Sequence, residues 1–158
     1  MKIFLPLLAA VIAVPACART GEAEVREGPR GGPCFTITPR EERLGTPDFQ
    51  AITVSDGQRL LWKMSMPKER TFPLVFGTCV PYGGRVAALP RTAAARLEAG
   101  RVYHLRIEAR PGGQGKGAAS YEARFCLARQ RDGSATVHQI WTGDRPGTRM
   151  FGCLPPRD

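Results

Sequence analysis

The stretch Leu97-Glu-Ala-Gly100-Arg-Val-Tyr103 has the spacing L-x-x-G-x-x-Y. This is the spacing of a tyrosine corner, in which a tyrosine hydroxyl bonds to backbone a few residues upstream and a glycine supplies the bend. Side chains then alternate along the chain, with Tyr103, Leu105, Ile107 and Ala109 expected inside and His104, Arg106, Glu108 and Arg110 outside. The stretch therefore predicts a strand with one buried face. Either a tyrosine corner precedes this strand, or the strand is an ordinary one in which Tyr103 is half-buried.

Other short runs of apolar and β-branched residues predict further strands. They span residues 34–38, 49–55, 59–66, 71–80, 101–110, 120–130 and 135–141, with hairpin turns at Asp56-Gly57 and Asp132-Gly133. In 59–66 the alternation places Leu60, Trp62, Met64 and Met66 on one face. Residues 91–99 predict a short helix capped by Thr92. Together these features predict an all-β, immunoglobulin- or fibronectin-III-like antiparallel β-sandwich of about seven strands.

The amino terminus has the anatomy of an export signal. Met1 and Lys2 precede an apolar run over residues 3–14, which is shorter than the roughly 20 residues of a membrane span. Val14-Pro-Ala-Cys17 resembles the bacterial lipobox, although Pro15 departs from its usual small residue. The expected signal peptide is 1–16, with acyl chains on Cys17 as a membrane anchor. The alternative is ordinary cleavage after Ala18.

The segment after the signal peptide differs in composition from the rest of the chain. Residues 17–33 contain glycine, proline and charge without hydrophobic periodicity, which predicts a flexible tether. Residues 34–158 then form one domain. If Cys17 is lipidated, Ala18 in place of aspartate resembles the sorting signal of outer-membrane lipoproteins. We therefore expect an outer-membrane lipoprotein of the bacterial cell envelope, with the domain facing the periplasm.

Cysteine number also favours export. The chain has five cysteines, and setting Cys17 aside leaves Cys34, Cys79, Cys126 and Cys153. Four cysteines without C-x2-C spacing predict two disulfides rather than a zinc site. Alternation in 120–130 points Tyr121, Ala123, Phe125 and Leu127 inward and Cys126 outward. We therefore expect Cys126 to join Cys153 in the tail and Cys34 to join Cys79.

The formal charge of +9 predicts an acidic or anionic partner, or simply a solvated basic surface. Export argues against nucleic acid as a partner.

The sequence offers few catalytic residues. Only His104 and His138 could act as imidazole bases, and neither lies near a nucleophile motif. Glu41 and Glu42 are adjacent and would point apart in a strand. The glycine-rich residues 111–117 lack the phosphate-loop pattern and join two strands. We expect no catalytic residue, metal or cofactor, and hence not an enzyme.

Three segments carry a family resemblance: Cys34-Phe-Thr-Ile, Phe76-Gly-Thr-Cys79-Val-Pro-Tyr-Gly83 and Leu97-Glu-Ala-Gly-Arg-Val-Tyr-His-Leu105. With the lipoprotein start, this pattern resembles small periplasmic lipoproteins assigned as type VI secretion immunity proteins. The resemblance implies a protein that binds and neutralises a toxin. Other classes are a lysozyme inhibitor, which the basic charge disfavours, and an envelope structural or assembly factor. The outward residues His104, Arg106, Arg110 and Arg124 are the predicted partner-binding patch.

Overall fold

The computed structural model describes residues 19–67, 69–84, 90–113, 116–141 and 153. The predicted signal peptide and the predicted lipidation site, Cys17, lie outside these residues. The elements in chain order are β1 (Thr20–Glu27), β2 (Pro33–Ile37), α1 (Pro39–Arg43), β3 (Asp48–Ser55), β4 (Leu60–Ser65), β5 (Phe72–Pro73), β6 (Val80–Pro81), β7 (Val102–Arg110), β8 (Ser120–Arg129) and β9 (Ala135–Ile140).

The strands form a curled, mixed sheet whose two halves face each other. The larger half has the order β4-β3-β7-β8, with β9 beside β8 and β5 beside β3. Strand β1 starts parallel to β8 and then pairs antiparallel with β2, which pairs with β6. The predicted all-β, sandwich-like fold is confirmed. The expectation of a wholly antiparallel sandwich is wrong at the β1–β8 pair, because β1 passes from one half to the other.

The core lies between the two halves and is built around aromatic side chains. Phe35 of β2 packs against Trp62 of β4 and Phe125 of β8, with ring centroids 6.3 and 5.6 Å apart. These three side chains have no exposed surface. Burial of each contributes about 1.5–3 kcal/mol, so contacts across the sandwich hold the two halves together.

The predicted tyrosine corner is present at the start of β7. The hydroxyl of Tyr103 accepts a hydrogen bond from the Glu98 amide at 2.7 Å and donates one to the Glu98 carbonyl at 3.1 Å. Gly100 has a φ of 81°, which few residues other than glycine adopt. The alternation along β7 is also confirmed, since residues at 103, 105, 107 and 109 are buried and those at 104, 106, 108 and 110 are exposed.

The prediction of a flexible tether over residues 17–33 is wrong for the part that the structure describes. Thr20–Glu27 is strand β1, with Gly21, Ala23 and Val25 buried in alternation. A side chain on Gly21 would place its Cβ 2.5 Å from the ring of Tyr121. Gly21 is therefore required for packing, and backbone pairing with two neighbours stabilises a strand that has few large side chains.

Two other segments depart from prediction because of their neighbours. Residues 71–80 were expected to form one strand but contribute only β5 and the start of β6, separated by a turn in which Thr78 N donates to Val75 O. Residues 91–99 form no helix. Thr92 N donates to Lys63 O, Lys63 N donates to Thr92 Oγ1, and Ala95 N donates to Leu61 O. The otherwise unpaired edge of β4 binds this segment in an extended form.

Local irregularities explain two further differences. Trp62 and Met64 are buried and Met66 is partly buried, as expected, but Leu60 is 47% exposed. The β3–β4 register shifts at Val54/Ser55, so Leu61 is the extra residue and alternation breaks there.

The short helix α1 was not predicted. The Thr38 side chain caps this helix by accepting a hydrogen bond from Glu41 N.

Both disulfides have the predicted pairing. Cys34 joins Cys79 with a Cα–Cα distance of 5.5 Å, and Cys126 joins Cys153 at 5.7 Å. Cys126 points away from the main core, as expected. It is nevertheless fully buried, because it belongs to a small outer cluster with Ile140, Cys153 and Val102. The second disulfide therefore fixes Cys153 against the outer face of the larger half.

Candidate protein-binding face

Three of the four predicted partner-binding residues meet on the outer face of β7 and β8. Strand register places His104 directly opposite Arg124, and Arg106 directly opposite Glu122. Ser55 of β3 lies on the other side of His104, and Ile140 of β9 continues the row beyond Arg124. Since these residues stand on paired strands of the larger half, the backbone fixes their spacing.

The row borders an open depression of about 460 Å³. His104, Arg106 and Arg124 line it together with Ile140 and Trp141. The Trp141 side chain is 41% exposed, which makes it one of two large exposed hydrophobic side chains among the described residues. The depression thus combines cationic groups with an accessible indole, and tryptophan and arginine are enriched at the energetic centres of protein interfaces.

The charge on this face is less one-sided than the sequence predicted. Arg106 Nη1 donates to Glu122 Oε1 at 2.7 Å, and Arg106 Nε lies 3.9 Å from Glu108 Oε1. All three side chains are at least half exposed, so the pairs stabilise the fold little, but they offset the charge of Arg106. Within the described part of the chain, neither His104 nor Arg124 has an ion-pair partner.

Arg110 does not lie at this site. It is opposite Asp48 at the other end of β7, six residues from His104. At about 3.4 Å per residue the separation is roughly 20 Å. The structure therefore gathers His104, Arg106 and Arg124 and places Arg110 elsewhere, because a strand that brings alternate residues to one face also spreads them along its length.

Sequence reasoning missed Trp141 and Ile140. Both fell in the predicted strand 135–141 without a role. The available signal was a tryptophan at the end of a strand that follows a hairpin, in a chain with only two tryptophans. What brings these residues to Arg124 is the β8–β9 register, which the sequence does not specify.

In the described ranges, no group of three His, Cys, Asp or Glu side chains could hold a metal ion. Glu41 is buried and bonded to Arg19, so it is not paired with its neighbour Glu42 as an acid and base. His138 lies opposite Cys126, which is two residues along β8 from Arg124, the strand partner of His104.

A second depression, of about 940 Å³, lies beside the Cys34–Cys79 disulfide. The guanidinium of Arg26 at its border is already engaged, because it donates to Phe76 O at 2.9 Å and stacks over the Phe76 ring at 5.2 Å. The contact links the β1–β2 hairpin to the loop before β6. We assign Arg26 a structural role.

The outer face of β7 and β8 therefore remains the candidate site. No helix in the described ranges has the length and apolar character needed to cross a membrane. Comparison with protein-family models, with curated proteins and with solved structures finds no match to this chain.

Proposed function

We propose that this chain is an exported, lipid-anchored protein that binds and neutralises a protein partner through the outer face of β7 and β8. The observation that carries the proposal is the meeting of His104, Arg124 and Trp141 at one open depression. The signal-like start and the two disulfides support an oxidising, extracytoplasmic location.

The chemistry of the face favours an acidic partner. Arg124 and His104 have no ion pair in the described structure, and the whole chain carries a formal charge of +9. Such a field accelerates encounter with an acidic surface, and Trp141 can then contribute apolar contact area. The Arg106–Glu122 pair contributes little net charge to the face, because the two side-chain charges offset each other.

The partner class comes from the sequence resemblance to type VI secretion immunity lipoproteins. A periplasmic toxin delivered by neighbouring cells is therefore the first partner to test. A lysozyme inhibitor or an envelope assembly factor would use the same kind of stoichiometric binding, so partner identification separates the three.

The first experiment captures partners with the disulfide-intact domain from the source strain and measures binding of the purified partner. Arg124→Glu should lower the association rate and flatten its salt dependence, because it reverses an unpaired charge. Trp141→Ala should mainly raise the dissociation rate. Arg131→Glu is the matched control, since Arg131 is exposed in the β8–β9 turn, away from the depression.

The double variant Arg106→Glu/Glu122→Arg retains an opposite-charge pair across the same strands and should bind almost normally. Equal rates and salt slopes for wild type, Arg124→Glu and Trp141→Ala would show that the face is not the binding surface. The toxin assignment has its own test: deletion of the gene should sensitise cells to their siblings, and unchanged resistance would refute immunity.

A further inference from the structure

The chain is held firmly at the first residue that the structure describes. The Arg19 guanidinium makes two hydrogen bonds to the Glu41 carboxylate, one of them with Nη1 and Oε1 3.1 Å apart. The Glu41 side chain is only 4% exposed, so it faces the fold rather than water. An arginine–carboxylate fork of this kind sets direction as well as position.

The neighbouring residues also fix the start of β1. Gly21 lies against the ring of Tyr121, where even a Cβ would meet ring carbons at 2.5 and 2.6 Å. Thr38 N donates to Glu22 O, which links β1 to the start of α1. No flexible segment therefore separates Arg19 from strand β1.

Exposed basic side chains lie on two segments next to this point of entry, and the exposed acid Glu108 lies one strand away, opposite the Ser120 that pairs with Thr20. Arg40 and Arg43 are exposed on α1, on either side of the buried Glu41. Lys116 is exposed next to Gly117, whose Cβ position is 3.6 Å from the Tyr121 hydroxyl. The nearest acidic residue left on α1 is the partly buried Glu42. We call this surface, formed by Arg19, α1 and Lys116, the entry end.

We propose that the entry end lies directly on an anionic phospholipid bilayer, with no tether between the lipid anchor and the folded domain. The inference rests on the proposed acylation of Cys17. Only residue 18 separates Cys17 from Arg19, and two residues span at most about 7 Å. At that distance exposed arginine and lysine side chains reach the headgroups, and a basic surface strengthens a lipid anchor.

This placement also orients the candidate binding face. β7 runs from Val102 at the opposite end of the sandwich to Arg110 near the entry end. His104 then stands roughly 20 Å further from the membrane than Arg110, at about 3.4 Å per residue. The partner would meet the face from the side, clear of the lipid.

Amine footprinting of the anchored protein tests the placement. The membrane-extracted protein is reconstituted in vesicles containing phosphatidylglycerol, and acetylation rates of Lys116 and Lys63 are measured by mass spectrometry against the lipid-free domain. Lys63 is the control, because it is exposed on the outer edge of the larger half in β4. We expect acetylation of Lys116 to slow by about fivefold or more while Lys63 changes by less than about twofold.

Two variants sharpen the result. A Gly/Ser spacer inserted between residues 18 and 19 should restore the reactivity of Lys116, and Arg40→Glu/Arg43→Glu should restore part of it without detaching the protein. An unchanged Lys116 rate in the anchored wild type would overturn the proposal.

The intact mass of the extracted protein reports the acylation of Cys17 separately. If Cys17 carries no lipid, the anchor in the proposed function is wrong, and so is the placement that rests on it. If the lipid is present and Lys116 is protected but no partner binds, the placement stands and the neutralising role fails.

Discussion

Gln139 of β9 gives Val25 of β1 the hydrogen bond that a neighbouring strand would normally supply. Its side-chain oxygen accepts from Val25 N at 2.6 Å, and its side-chain nitrogen donates to Ala23 O at 3.0 Å. β1 pairs with β8 only over Thr20 to Glu22, after which β9 takes its place beside β8. The amide of one side chain thus stands in for a peptide group where β1 crosses between the two halves.

Gln139→Ala should lower the free energy of unfolding by about 1–3 kcal/mol, because it leaves a backbone donor and a backbone acceptor without partners in a part-buried site. Urea denaturation measures the change. Gln130→Ala is the matched control; its amide nitrogen donates to the Thr136 hydroxyl in an exposed bond and, at a longer 3.4 Å, to Ala128 O, so we expect a loss of at most about 0.5 kcal/mol. Equal losses in the two variants would contradict a special role for Gln139.

Tyr103→Phe should destabilise the domain by about 1–3 kcal/mol, since both hydrogen bonds to the Glu98 backbone are lost. Tyr82→Phe removes one hydrogen bond, from the Tyr82 hydroxyl to Ala95 O, and should have the smaller effect at neutral pH. Chemical denaturation at pH 7 compares them. A loss at Tyr103 no larger than that at Tyr82 would mean that the corner adds nothing beyond an ordinary tyrosine contact.

The two disulfides should differ in their effect on binding and not in their effect on stability. They close segments separated by 45 and 27 residues, for which loop entropy predicts roughly 4 and 3.5 kcal/mol. Cys126→Ala/Cys153→Ala should also weaken partner binding, because Cys126 packs with Ile140 at the depression. Titration calorimetry at a temperature where both variants are folded checks this, and equal affinities in Cys126→Ala/Cys153→Ala and Cys34→Ala/Cys79→Ala would contradict it.

Stability should fall as pH rises above 10, in part through Tyr82. Burial, aided by Tyr103, raises the pKa of Tyr82 to about 12. The folded state therefore keeps this proton where the unfolded chain, with a pKa of about 10, releases it. The contribution is fully present below pH 10 and is lost between pH 10 and 12. Tyr82→Phe should show a shallower decline between pH 9.5 and 11 in urea unfolding, and parallel curves would count against the assignment.

Alternation and turn chemistry were enough to predict most of the larger half. β3, β7 and β8, the tyrosine corner and both disulfides follow from local patterns, because one face of each of these strands is more buried than the other. The same alternation placed His104, Arg106 and Arg124 on one outer face. The alternation pattern could not show that Arg110 lies away from this site. The pattern records which face of the strand a residue occupies, but not how far along the strand the residue lies from the site.

The local order of residues by itself determined that much of this chain would form short, disulfide-linked strands, because side-chain polarity and turn residues act over a few positions. Only the tertiary structure decided the secondary structure of segments with weak local preferences. Residues 20–27 became a strand because β2 and β8 present unpaired backbone groups, and residues 91–95 lie extended because β4 does. The depression at Trp141 likewise depends on register between β8 and β9. Backbone hydrogen bonds between distant segments determined these features, and such bonds cannot be read from the side chains because every residue has similar backbone groups.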